Sequence, residues 1–360
     1  MKKSRKIILI VVIVILVILL IPKVTKEDGV KKYEAVIYTI DKHKDEDKKG
    51  TEVKLFGKTV YDNVKKDKKP VVNEELNFKW EPHVYNKYLS RAKGKEYEDI
   101  VYRYVEALLK GDKKVECSNE FIVDDLFGTL RTTFPPVTKI VKDSNYSDGY
   151  ININYAVSDA SRKKIIDDFA NQVEYIINSS VKGTDTEIMK AIALYNFYVY
   201  HITYDANLED VSTYQGIMNF SGICQSFGPA YAYLLMELGI DAMEVGALNE
   251  DITLGAHEWT IVNLNGKEYY ADPTYECTSP NQGLKYFGLT SKDREEEGFR
   301  NIETTIGFNL IAASKYKIND NKFKKFREVN DIIDIVRKDG KMIINYLTIE
   351  GDTKKIVIDE

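Results

Sequence analysis

Cys224 closes the segment Ser221-Gly-Ile-Cys224 and opens the run Gln225-Ser-Phe-Gly-Pro-Ala-Tyr-Ala-Tyr-Leu-Leu-Met-Glu-Leu-Gly239. Within that run Tyr231, Leu234, Leu235 and Leu238 recur at helical spacing and Gly239 is a stop signal, so a helix is expected with Cys224 at or just before its first turn. A helix start offers unpaired backbone N–H groups and the positive end of the helix dipole, both of which favour a thiolate. Alone, a cysteine is most often a small buried packing residue. Its chemistry depends on a base within reach.

His257-Glu-Trp-Thr-Ile-Val-Asn-Leu264 and Lys267-Glu-Tyr-Tyr-Ala-Asp272 flank Asn265-Gly266, the strongest short signal for a two-residue hairpin. Leu264 then faces Lys267, and counting back sets Trp259 opposite Asp272. His257 falls diagonal to Asp272 on the same sheet face, with Cβ atoms roughly 7 Å apart, near enough for an imidazole to meet a carboxylate. A cysteine nucleophile needs such a base, and the base needs a third group to fix its tautomer and balance its charge. Cys224, His257 and Asp272 supply the three parts, with Gln225, Trp259 and Tyr275 expected to support them or line the cleft. A metal site from Cys224, His257 and Cys277 lacks the paired spacing such sites use, so no metal or cofactor is expected.

Pro229 bears on where the helix starts, because a proline is tolerated in the first turn or at a kink. A helix beginning near Gly228 would leave Cys224 in the preceding loop. The ion pair with His257 would then carry most of its activation.

Gly222-Ile-Cys224-Gln225, His257-Glu-Trp259 and Tyr269-Tyr-Ala-Asp272-Pro-Thr274 together resemble the transglutaminase-like superfamily, in its bacterial membrane-anchored form. Ile202-Thr-Tyr-Asp205 and Tyr286-Phe-Gly-Leu-Thr-Ser291 are similar to flanking family segments, so the resemblance covers roughly residues 95 to 300. It implies an α+β, papain-like fold in which a helix-borne cysteine packs on an antiparallel sheet. It also implies thioester acyl-enzyme chemistry on amide bonds of protein or peptide substrates, including cell-envelope peptide, ending in transamidation or hydrolysis. Carried over by position, Cys224 is the nucleophile, His257 the general base and then acid, and Asp272 the orienting carboxylate. The Cys224 N–H is an oxyanion donor, and the second donor is not assigned. Glu258 stands where a small or apolar residue is common, and Ser226 where a glycine is common; neither change removes a triad group. A cysteine-protease type of hydrolase is the nearest alternative. A non-catalytic binding or scaffold module is another, against which the intact triad speaks.

The elements around these residues follow from composition and period. The chain has 360 residues, 44% hydrophobic and 30% charged, with a formal net charge of -5. That is enough apolar material for one large domain with appendages, and Lys and Asp/Glu interleave too evenly to give the basic face that nucleic acid requires. Ile100, Val101, Tyr104, Val105 and Leu108 mark a helix, residues 149–155 alternate as a strand, and helices are expected over residues 161–178 and 186–200. Before this domain, Tyr33-Glu-Ala-Val-Ile-Tyr-Thr-Ile40 and Glu52-Val-Lys-Leu-Phe56 read as short strands, and the charge cluster at residues 42–49 as a surface loop. After it, Asp339-Gly340 and Gly351-Asp352 signal turns between short strands. The expected division is an anchor at 1–23, a charged stalk or small β module at 24–90, the transglutaminase-like domain at 91–300, and a small β region at 301–360.

The anchor rests on the start of the chain, where Lys2, Lys3, Arg5 and Lys6 precede an unbroken aliphatic run over residues 7–21, closed by Pro22-Lys23. The run is shorter than the roughly 20 residues of a comfortable span, so its length allows a signal-peptide core or a short anchor. Residues 18–25 offer no small-residue cleavage site, which favours an uncleaved single-pass anchor with the basic end in the cytoplasm and the domain outside. A cleaved signal would leave a secreted protein instead. Cys117, Cys224 and Cys277 are odd in number, so at least one lacks an intrachain partner. Pairing Cys117 with Cys277 would leave Cys224 free, although spacing does not select that pair over reduced thiols.

Overall fold

A computed structural model of the protein describes residues 22–27, 30–35, 38–44, 48–55, 58–62, 65–66, 76–84, 87–304, 311–312 and 318–359. Contacts divide the chain into two units between Val71 and Val72.

In the first unit, β1 (Lys23–Glu27), β2 (Val30–Glu34), β3 (Tyr38–Lys44), β4 (Lys48–Leu55) and β5 (Lys58–Asp62) form an antiparallel meander in sequence order, and β6 (Lys65–Lys66) pairs with β4. The run expected as one strand over residues 33–40 is two, because the chain reverses within it and Tyr33 pairs with Ile40 across the hairpin. Of the charged cluster at 42–49, expected as a loop, Lys42, His43 and Lys44 lie in β3 and Lys48 and Lys49 in β4. Lys42 pairs with Thr51 and His43 with Gly50, so the ladder satisfies the backbone of these charged residues.

The expected single-pass anchor is overturned. No helix among the described residues is long and apolar enough to cross a membrane. Lys23, assigned to the anchor from the sequence, opens the strand Lys23–Glu27 and pairs with Glu34. Residues 7–21, which carried the expectation, lie outside the described residues.

The second unit begins with α1 (Lys87–Lys93) and α2 (Lys95–Lys110), the latter burying Ile100, Tyr104, Val105 and Leu108. Gly111, at φ 86, ends it by donating its N–H to Ala107 O. There follow β7 (Lys114–Glu116), α3 (Phe121–Thr133), α4 (Val137–Ile140), β8 (Val141–Ser147) and β9 (Tyr150–Tyr155), the strands forming a small sheet in the order β7-β9-β8. Ser158 caps α5 (Asp159–Ser180) and Thr186 caps α6 (Glu187–His201), each through its hydroxyl to the third backbone N–H. Helix α6 is apolar nearly all round and correspondingly buried.

The chain then runs through β10 (Thr203–Tyr204), α7 (Thr213–Met218), β11 (Ser221–Gly222) and α8 (Cys224–Glu237) into the main sheet. That sheet is antiparallel, built on β12 (Ala242–Leu248), β13 (Ala256–Leu264), β14 (Lys267–Ala271) and, after α9 (Pro273–Thr278), β15 (Phe287–Leu289). Helix α10 (Ser291–Glu296) follows, and β16 (Glu303–Thr304) and β17 (Ile311–Ala312) extend the edge beyond β12. Val262 and Leu264 share a core with Phe227, Tyr231 and Leu234 of α8, while Trp259 and Ile261 belong to a second core with residues of α2 and α3. Helix and strand touch closely at Gly228: a Cβ there would lie 3.0 Å from Trp259 Cα, and Thr260 Oγ1 donates to Gly228 O at 2.7 Å.

Last come β18 (Asp331–Lys338), β19 (Lys341–Leu347) and β20 (Thr353–Ile358), an antiparallel trio with Asp339 and Gly340 in the turn at φ 53 and 71. Met342, Ile344 and Tyr346 join the core around α6 and α8, so these strands are packed against the domain rather than appended to it. The whole is a mixed α/β fold with antiparallel main sheets.

Candidate active site

The approach to Cys224 is clamped by the short parallel ladder of β10 and β11, in which Thr203 pairs with Ser221 and Tyr204 with Gly222. Asp205 N donates to Gly222 O at 2.8 Å. Helix α8 then starts at Cys224 itself: Ser226 N and Phe227 N both donate to Ile223 O. Ile223 N donates to Ser226 Oγ at 3.3 Å, and that hydroxyl donates to Val211 O at 2.7 Å. The departure at Ser226 is thus the device that ties off the helix start. Pro229 lies inside the helix and does not delay it. An interior proline costs about 3 kcal/mol, which the complete burial of Phe227, Ala230, Tyr231 and Leu234 offsets. Cys224 is partly exposed at the first helical position, where backbone N–H groups lack helical partners.

The hairpin has the expected register, Leu264 facing Lys267 and Thr260 facing Ala271, with Asn265 and Gly266 at φ 51 and 81. Asp272 leaves β14 and caps α9: its Oδ1 accepts from Tyr275 N at 3.0 Å, and Pro273 fills the first helical position. Its Oδ2 accepts from His257 Nε2 at 2.7 Å. The backbone of Asp272 is fixed as well, N donating to Tyr286 O and O accepting from the Tyr195 hydroxyl, both at 2.9 Å. Tyr275 stacks on the imidazole at 4.3 Å and 16°, and Trp259 lies 5.6 Å from it. Nε2 is committed to Asp272, which leaves Nδ1 as the ring nitrogen open to a thiol, and Cys224 is among the groups that raise the imidazole.

Arg294 was not singled out from the sequence, and it stands at the back of this set. Its Nη2 donates to the same Asp272 Oδ2 at 2.7 Å, its Nη1 to Glu297 Oε2 at 2.7 Å, and its guanidinium lies 4.4 Å from the Trp259 ring. Asp272 and Arg294 are both 0% exposed. Burial alone would push the Asp272 carboxyl up, but the charges of His257 and Arg294 hold it down at about 2. Burial pulls His257 down, and the Asp272 charge and hydrogen bond, with those of Cys224, outweigh it and raise the imidazole to about 9.

Gln225 bears on Glu258, whose carboxyl burial raises while the Arg131 charge and then Gln225 lower it. Tyr204, paired with Gly222, has a phenol raised first by burial and then by the charges of Cys224 and Cys277. A cavity of about 480 Å³ is walled by His257 and Glu258 together with Glu244, Glu250 and Arg300. A larger one, about 580 Å³, lies against β20 and away from the triad. No disulfide joins Cys117 to Cys277. They sit in different cores, with thiols donating to Asn119 O and Thr274 O, each at 3.2 Å. Among the described residues, no group of three or more His, Cys, Asp or Glu is arranged to hold a metal ion.

No protein-family model matches the chain, and no curated protein matches it. Solved structures do. One is a candidate cysteine protease from Cytophaga hutchinsonii, with 18% identity and a TM-score of 0.22, covering 24% of this chain and 30% of that one. A TGase is similar at 17% identity and a TM-score of 0.27, covering 37% of this chain and 44% of its own. The chain thus matches less than half the length of either, and neither likeness bears on its chemistry.

Proposed function

We propose that the protein is a cysteine enzyme of the transglutaminase-like kind that acts on amide groups of protein or peptide substrates. The observation that carries the reading is the hydrogen bond of the His257 imidazole to the buried Asp272 Oδ2, together with Cys224 at the first position of a helix and among the groups that raise that imidazole. The raised proton affinity of His257 draws the thiol proton onto the imidazole. The Cys224 sulfur then attacks the amide carbon, and the C–N bond breaks as His257 returns its proton to the departing nitrogen. A thioester remains. An amine or water next attacks the same carbon, His257 takes the incoming proton, and the C–S bond breaks to restore the starting pair. The Cys224 N–H, at the first position of α8, serves as an oxyanion donor.

Incubation with a glutamine-containing peptide, with and without a primary amine, tests this by product mass. Gain of the mass of the amine less about 17 Da, the ammonia released, marks transamidation, while gain of about 1 Da marks hydrolysis of the side-chain amide; each must vanish in Cys224→Ala. An unchanged peptide together with slow, His257-independent alkylation of Cys224 would overturn the reading.

A further inference from the structure

We propose that Arg294 is a positioning residue: it is the fixed counter-charge that lets His257 alternate between protonated and neutral without leaving Asp272 as an unbalanced buried charge. The proposal rests on the reading of Cys224, His257 and Asp272 as the reacting set.

Acyl transfer asks His257 to hold a proton in one step and to be without it in the next. When the imidazole is neutral, a carboxylate as dry as Asp272 needs another cation, since an unpaired ion in a protein interior costs several kcal/mol. Arg294 supplies it at 2.7 Å on the very oxygen that His257 uses. A guanidinium does not give up its proton, so this partner is constant through the cycle. It is also held rigidly. Glu297 binds Nη1, and the rings of Trp259, Tyr275 and Phe299 lie 4.4, 5.6 and 5.9 Å from the guanidinium carbon. Tyr275 and Trp259 are also the rings packed against His257, so one aromatic wall sets both partners of the carboxylate.

The charges therefore alternate along a line: His257, Asp272, Arg294, Glu297. The two ends of that line make opposite demands. Removing the Arg294 charge leaves Asp272 dependent on His257 and raises the affinity of the imidazole for its proton. Removing the Glu297 charge frees Arg294 to bear more fully on Asp272 and lowers that affinity. Glu297 is the accessible handle, its side chain being 28% exposed. A role confined to packing would not give shifts of opposite sign.

The test is an NMR titration of the imidazoles, feasible because the chain has four histidines, with His257 assigned through His257→Gln. In Glu297→Gln the His257 midpoint should fall by about 0.5 to 1 pH unit, and in Arg294→Met it should rise by about 1 unit or more. Arg294→Lys keeps the charge and should stay within about half a unit of the natural protein. If Arg294→Met does not fold, Glu297→Gln and Arg294→Lys still decide the matter. Midpoints that stay put in Glu297→Gln, or that move the same way in Glu297→Gln and Arg294→Met, overturn the proposal. Failure of the functional reading shows separately, as alkylation of Cys224 that His257→Ala leaves unchanged.

Discussion

Ser226 occupies the space that a side chain on Gly222 would need: a Cβ built on Gly222 would lie 2.3 Å from Ser226 Oγ and 2.5 Å from its Cβ. The pair brackets Cys224, since Gly222 ends the β11 ladder and Ser226 ties the helix start to Ile223 and Val211.

Gly222→Ala should therefore shift the thiol rather than unfold the domain, because overpacking at one site costs about 1 to 3 kcal/mol. The expected result is a roughly tenfold or greater fall in the rate of Cys224 alkylation at neutral pH, with near-UV circular dichroism retained. Ser226→Gly added to Gly222→Ala should recover part of the rate, and a strictly additive double variant would mean that the two positions are uncoupled.

His257 gives a second expectation with a defined sign. Its imidazole is raised to about 9 in the folded protein, against an ordinary 6.5, once the Asp272 and Cys224 contributions overcome burial. The folded state thus binds the proton more tightly than the unfolded chain. That contribution to stability is complete below about pH 6.5 and disappears as the pH rises through about 9, on the order of 2 to 3 kcal/mol. Urea unfolding at pH 6, 8 and 10 should show the natural protein losing this increment relative to His257→Gln, and parallel curves would remove the case for a raised imidazole.

The site was legible where chemistry and local geometry coincide. Asn265-Gly266 admits one tight turn, so the meeting of His257 with Asp272 follows from counting residues. The start of α8 was less secure, because the proline at 229 signals a boundary that the burial of the surrounding helix overrides. Arg294 was illegible for a different reason. It sits in Ser291-Lys-Asp-Arg-Glu-Glu-Glu297, a run that reads as a solvated helix face, and only the return of α10 beneath Trp259 turns one of its charges inward. In the same way the split of residues 33–40 depends on a turn lying inside an apolar run, where alternation alone cannot place it.

Tyr204 supplies a third test. It lies on β10 beside Gly222, 47% exposed, with its phenol raised by burial and by the nearby Cys224 and Cys277 charges. A neutral hydroxyl on the strand paired with the approach to Cys224 is suited to donate to an oxyanion formed beside the sulfur. Tyr204→Phe should lower turnover of an amide substrate by about 10- to 100-fold with little change in KM. The alkylation rate of Cys224, which involves no oxyanion, should change less than about threefold. Equal losses in both measurements would assign Tyr204 to holding the thiol instead.

Glu244 offers a fourth test, set in the scaffold rather than in the triad. It is 5% exposed on β12, opposite Thr260, and Glu258 lies diagonal to it on the same face, opposite Gly246. Burial raises its carboxyl to about 8, with the Glu258 charge adding to the rise while its own N–H and the Arg131 charge oppose it. The sign is that of a carboxyl whose folded-state proton is bound more tightly than the unfolded one. Its contribution to stability is complete below about pH 4.5 and is lost as the pH rises through about 8, at up to about 1.4 kcal/mol per pH unit. Glu244→Gln keeps the shape and stays neutral throughout. The variant should match the natural protein near pH 5 and exceed it by on the order of 1 to 3 kcal/mol at pH 8, read from urea midpoints with the slope held constant. A natural protein that keeps its full stability to pH 8 would mean that Glu244 is ionised against Arg131, and the strand pair would then be held by that charge contact instead of by a buried proton.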